Sequence, residues 1–138
     1  MAPASRSAFI HVSPGPVAED APPADRMATP AHVGFVPSAD VFAVPEGLVV
    51  ELELPGVPAE AIRVTAAGGG LVVEGTKGDP EAARKRYLRA ERAFGAFRRH
   101  VPLPDDARLE AAAATLREGV LRVVVPRGAP GRRIAIAE

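Results

Sequence analysis

The sequence predicts an all-β domain carried between two arms, and three observations lead there. Short Val- and Leu-rich runs alternate apolar and polar residues with the period of a pleated strand. Each run is closed within a few residues by Gly, Pro or Asp, so none reaches helical length. At 138 residues the chain is long enough for one domain with a hydrophobic core and too short for two joined by a linker.

Residues 1 to 37 hold seven of the 15 prolines and only five charged residues. Their apolar residues, Phe9, Ile10, Val12, Val33, Phe35 and Val36, follow neither a helical nor a strand period, so this stretch is expected to be a mobile arm. The domain is expected to begin at Ser38. In LVVELEL, residues 48 to 54, Leu48, Val50, Leu52 and Leu54 share one face while Val49, Glu51 and Glu53 share the other, the pattern of a half-buried strand. Pro55-Gly56-Val57-Pro58 ends it, because proline removes ladder donors and glycine permits turn dihedrals. Ile62 to Ala66 sets Ile62 and Val64 against Arg63 and Thr65, and Gly68-Gly69-Gly70 makes a tight link to the LVVEGT run from Leu71, which predicts a hairpin.

TKGDPEAARKR, residues 76 to 86, is polar and reads as a long exposed loop with Tyr87 and Leu88 at its far end. Gly95 to Leu103 predicts another strand, Pro104-Asp105-Asp106 a turn, and Ala111 to Leu116 a short strand. Glu118-Gly119 then turns the chain into VLRVVV, a β-branched run closed by Pro126. Residues 128 to 138 form a Gly- and Pro-rich tail. Seven or eight strands result, with no long helical pattern and no internal repeat.

Composition narrows the chemistry. The 17 basic and 17 acidic residues cancel, so overall charge draws the chain to neither nucleic acid nor an anionic membrane. There are no cysteines, which excludes disulfides, thiolate metal sites and a cysteine nucleophile and suits a reducing cytoplasm. No apolar run approaches the roughly 18 residues of a membrane span, and MAPASRSAFIHVSPGP lacks the apolar segment of an export signal. A soluble, cytoplasmic protein is expected. Arginine outnumbers lysine by 15 to 2, a skew that a G+C-rich genome explains.

His11, His32 and His100 have no ligand spacing with each other or with a carboxylate motif, and read as surface histidines rather than a metal site. Ser13 lies two residues from His11, but a nucleophile needs its base on a rigid scaffold, and this arm offers none. Glu51 and Glu53 project from one strand face roughly 7 Å apart, which suits a solvated face better than an acid/base pair. Gly68-Gly69-Gly70 lacks the Lys-Ser/Thr pair and helix of a phosphate loop. Residues 84 to 99 carry seven basic residues and one acid, interleaved with Tyr87, Phe94 and Phe97. These are the ingredients of a single-strand nucleic-acid platform, but Phe94 and Phe97 are better used in a core poor in aromatics. No catalytic group, cofactor, metal, nucleic acid or membrane partner is expected.

In order, ADVFAV with GLVVELELPGV (39 to 57), LVVEGTK (71 to 77), YLRAERAFGAFRRHVPLP (87 to 104) and ATLREGVLRVVVPR (114 to 127) resemble the small heat-shock proteins of bacterial type and their shared α-crystallin domain. The last segment matches the A-x-x-x-n-G-V-L signature through Ala114, Gly119, Val120 and Leu121, with Glu118 where Asn is usual. The resemblance covers about residues 37 to 127. It implies an immunoglobulin-like β-sandwich with flexible N- and C-terminal arms.

The resemblance also implies a function: an ATP-independent holdase of the stress response that captures partly unfolded client proteins and prevents their aggregation. Tyr87 and Leu88 would form the strand exchanged with a partner subunit, beside the partner's strand at Val41 and Phe42, and Arg99 would support that dimer through charge-assisted bonds. Ile134 and Ile136, one residue apart in an extended tail, point the same way and would enter two apolar pockets of a neighbouring subunit lined by Ile62, Val64, Ala114 and Leu116. Burying both contributes roughly 3 to 5 kcal/mol before ordering costs. Such tails would build the dimer into a larger homo-oligomer. Clients would meet Phe9, Ile10, Val12 and Phe35 of the arm, and the groove when the tail leaves it. The arm is short and poor in aromatics, which keeps an alternative open: a co-chaperone-like adaptor sandwich that docks on another chaperone without holding clients.

Overall fold

The computed structural model describes residues 8–14, 34–128 and 136. Nine strands organise them: β1 (Ala8–Ile10), β2 (Val12–Pro14), β3 (Ala39–Val44), β4 (Gly47–Glu53), β5 (Ile62–Ala67), β6 (Gly70–Lys77), β7 (Gly95–Pro102), β8 (Ala113–Arg117) and β9 (Val120–Val125). The helical content among the described residues is three single 3₁₀ turns in the connections. One sheet runs β1-β8-β9-β4-β3 and the other β2-β5-β6-β7. The ladders are antiparallel, except that β2 lies parallel to β5.

The alternation seen in the sequence explains why these sheets stack. Leu48, Val50, Leu52 and Leu54 turn inward with Leu121, Val123 and Val125 from β9, facing Val64, Leu71, Val73, Phe97 and Val101 of the second sheet. Each fully buried Val, Leu or Phe contributes about 1.5–3 kcal/mol of transfer free energy, and this layer is the main attraction between the sheets. Val49, on the opposite face of β4, is also fully buried, although the period placed it outward. Its cross-strand neighbours are Phe42 and Val124, both apolar.

The turns follow their residues. Arg117 pairs with Val120 across a two-residue loop, Glu118-Gly119, in which φ is 52° and 77°. Two positive φ values make the hairpin turn whose twist matches the flanking strands. Gly119 is also needed for space, because a Cβ there would lie 2.9 Å from Pro55 Cα, while the Leu54 N–H donates to the Gly119 carbonyl at 2.7 Å.

The structure differs from the sequence expectations elsewhere as well. Thr76 and Lys77 belong to β6, not to the loop, and Lys77 is buried. Its ammonium sits 5.3 Å from the centre of the Phe94 ring, so the stem is covered while the charge meets an aromatic face. Within the N-terminal stretch expected to be a mobile arm, residues 8–14 form β1 and β2 and complete the edges of both sheets. Two three-residue strands are too short to display a period, and the open backbone of β8 and β5 supplies the pairing that their own sequence does not announce.

Candidate functional site

Three surfaces hold the residues singled out in the sequence. The first is the groove along β8 of one sheet and β5 of the other, each of which carries a short N-terminal strand, β1 or β2, on its outer side. Ile62 and Val64 of β5 and Ala114 of β8 are buried there, and Leu116 packs against them half-buried. Of the four residues expected to line a groove, Ile62, Val64 and Ala114 thus belong to the core and Leu116 packs against it.

That groove is filled by the chain's own residues 8–14. Ala8, Phe9 and Ile10 pair with Leu116, Thr115 and Ala114, and Val12, Ser13 and Pro14 pair with Val64, Thr65 and Ala66. The segment crosses from one sheet to the other at His11, joining the two edges. Ile10 and Val12 pack on the core, whereas Phe9 is 85% exposed. Phe35 is likewise turned inward, its ring centre 5.5 Å from that of Phe97. Of the four arm residues expected to meet clients, Phe9 alone is open in this arrangement. His11 Nδ1 lies 3.4 Å from Ser13 Oγ at an exposed position, a long contact that does not form an activated nucleophile.

The second surface is the outer edge of β3. This strand pairs with β4 on one side and ends its sheet on the other, leaving a row of backbone donors and acceptors. Val41 and Phe42 are exposed along it. Arg122 braces the surface beside them, donating to Glu51 at 3.3 Å and lying 6.0 Å from the Phe42 ring centre.

The third is the loop between β6 and β7. Leu88 is fully exposed there and Tyr87 half exposed. Asp79 organises the loop: its carboxylate accepts from Lys85 Nζ at 2.8 Å, from the Tyr87 hydroxyl at 2.9 Å and from the Glu81 backbone N–H at 3.0 Å. The Lys85 bond, then those from Glu81 and Tyr87, hold its pKa at about 2, below the usual carboxylate value. Reciprocally, the Asp79 carboxylate raises the Tyr87 phenol above its ordinary value. Sequence reasoning missed this network because Asp79 and Tyr87 are eight residues apart in a segment without a period. The one available signal was the acidic pair Asp79 and Glu81 just ahead of the basic run Arg84-Lys85-Arg86.

Arg99 lies on β7, and its Nη1 donates to the Pro37 carbonyl at 3.4 Å within the same chain. Phe97 is in the core and Phe94 is flanked by Lys77 and Arg92, which leaves no row of free aromatic faces for bases. Among the described residues no cluster of His, Asp or Glu could hold a metal, and no helix is long and apolar enough to cross a membrane. Ile136 is exposed, and Ile134 lies outside the described residues.

Residues 40–137 match the Hsp20/alpha crystallin family. The chain belongs to that family. Relatives include the 16.9 kDa class I heat shock protein 1 of Triticum aestivum, 40% identical over 60% of this chain and 56% of its own length. The 17.6 kDa class I heat shock protein 3 of Arabidopsis thaliana is 30% identical over 76% of this chain and 74% of its own. The chain thus spans little more than half of the Triticum protein. Among solved structures, a small heat-shock protein from Xylella fastidiosa, described as having a distinct high order structure, is 29% identical with a TM-score of 0.64, covering 77% of this chain and 100% of that one. The hspA of Xanthomonas axonopodis is 30% identical with a TM-score of 0.63, covering 69% and 96%. The sandwich described above is the fold of these bacterial small heat-shock proteins, with its immunoglobulin-like stacking of two sheets.

Proposed function

We propose that the protein is an ATP-independent holdase, a chaperone of the cytoplasm that binds partly unfolded proteins and keeps them from aggregating. The observation that carries this reading is the β5/β8 groove. It holds an extended segment by backbone ladders to two sheet edges and by two apolar side chains, Ile10 and Val12, inserted between them. An unfolded client exposes stretches of that chemistry, and a groove that reads backbone and spacing tolerates many sequences. Family membership supports the same activity.

The working unit is a homo-oligomer. Tyr87 and Leu88 of one subunit pair beside Val41 and Phe42 of the next, supported by Arg99, and Ile134 and Ile136 of the tail enter a neighbour's groove at Ile62, Val64, Ala114 and Leu116. The open edge of β3 and the full exposure of Leu88 favour this arrangement. Clients meet Phe9, Ile10, Val12 and Phe35 when the arm leaves the sandwich, and the groove itself when it is vacated. Nucleotide plays no part, and the equilibrium between closed and opened assemblies sets capacity. The test is heat-induced light scattering of a model client at an equal subunit ratio without ATP. Suppressed scattering is expected, and scattering equal to the client alone overturns the assignment.

A further inference from the structure

The groove already has an occupant, and that occupant resembles the tail. Ile10-x-Val12 and Ile134-x-Ile136 each place two β-branched side chains two residues apart, so in an extended strand both members face the same way. Ile10 sits opposite Ala114 on one edge and Val12 opposite Val64 on the other. Those are two of the four positions that would receive the tail. The ladders of β1 with β8 and β2 with β5 also use the backbone groups of those edges, and a strand edge pairs with one partner at a time.

We propose that residues 8–14 are an internal ligand of the β5/β8 groove, so that this N-terminal segment and the tail of another subunit are mutually exclusive occupants. The inference rests on the reading of the tail as an anchor. The covalent attachment of the segment gives it a high effective concentration at the groove. The tail answers with one more buried methylene, Ile136 against Val12. The two states are therefore poised, and release of the N-terminal segment both opens the groove and frees Ile10 and Val12. Tail affinity measured on the intact chain is lowered by the fraction of grooves already filled.

The test uses the full chain with Ile134→Ala and Ile136→Ala, so that its own tail does not compete, and a labelled peptide of residues 131–138 as probe. Because the protein has no cysteine, Ile10→Cys with Ala114→Cys adds a single pair, placed at cross-strand register, where the Cα separation suits a disulfide. Oxidation is expected to cross-link within one chain and to exclude the peptide, and reduction to restore binding. Replacing Ile10→Asp and Val12→Asp together, with no added cysteines, is expected to tighten peptide binding by about tenfold or more. Failure to form the intrachain cross-link overturns the proposal. Equal peptide affinity in oxidised, reduced and Asp-substituted chains overturns it while leaving the tail as an anchor. If the peptide binds none of them, the anchor reading itself falls and the competition falls with it.

Discussion

The Tyr87 hydroxyl donates to the Asp79 carboxylate at 2.9 Å, and the same oxygen accepts from Lys85 at 2.8 Å. Tyr87 is the only tyrosine and the chain has no tryptophan, so its spectrum reports this bond alone. The pKa of Asp79 in the folded chain, about 2, lies below its unassociated value of 3.8. The network is therefore complete above roughly pH 4 and is lost as pH falls through about 2. Tyrosine emission, quenched by the carboxylate, is expected to rise across that window. In alkali, phenolate absorbance is expected to appear at lower pH in Asp79→Ala than in the wild type. Identical alkaline titrations would contradict the bond.

Glu118 adopts φ 52° in a turn that favours Asn-Gly. A left-handed conformation costs an ordinary residue about 1–2 kcal/mol, and Asn relieves part of this by bonding locally. Glu118→Asn is expected to stabilise the domain by about 1 kcal/mol, a rise of about 4–8 °C in melting midpoint at fixed protein concentration. Differential scanning calorimetry checks it, and a lower midpoint would contradict the turn assignment.

Leu88 is fully exposed, so Leu88→Asp removes no contact made within the chain. Its circular dichroism is expected to match the wild type, while the assembly mass at a given concentration falls, because an aspartate cannot be buried against a partner's β3 edge at little cost. An unchanged mass in sedimentation would remove Leu88 from the dimer contact.

The parts of this fold that were legible in the sequence are those in which one strand face is buried over several alternations. Leu48, Val50, Leu52 and Leu54 read correctly because their run carries its own period, whereas VLRVVV is too evenly apolar to show which face turns inward, and the fold buries its Leu121, Val123 and Val125. Val49 did not read correctly, since its burial depends on neighbours in other strands, Phe42 and Val124, that no local pattern reveals. Lys77 was assigned to the loop by its charge, whereas its stem is buried and its ammonium faces Phe94. The four groove residues came from the resemblance, and in the fold Ile62, Val64 and Ala114 belong to the core while Leu116 packs against it. Their occupant was not legible: Ile10 and Val12 become strand residues only when β8 and β5, distant in sequence, present their edges.

In the proposed assembly the tail of one subunit enters the β5/β8 groove of another. The most direct test of this arrangement is mass by light scattering for the wild type and for a chain truncated after Gly131, at matched concentration. A smaller assembly is expected for the truncated chain, and an unchanged mass would contradict the arrangement.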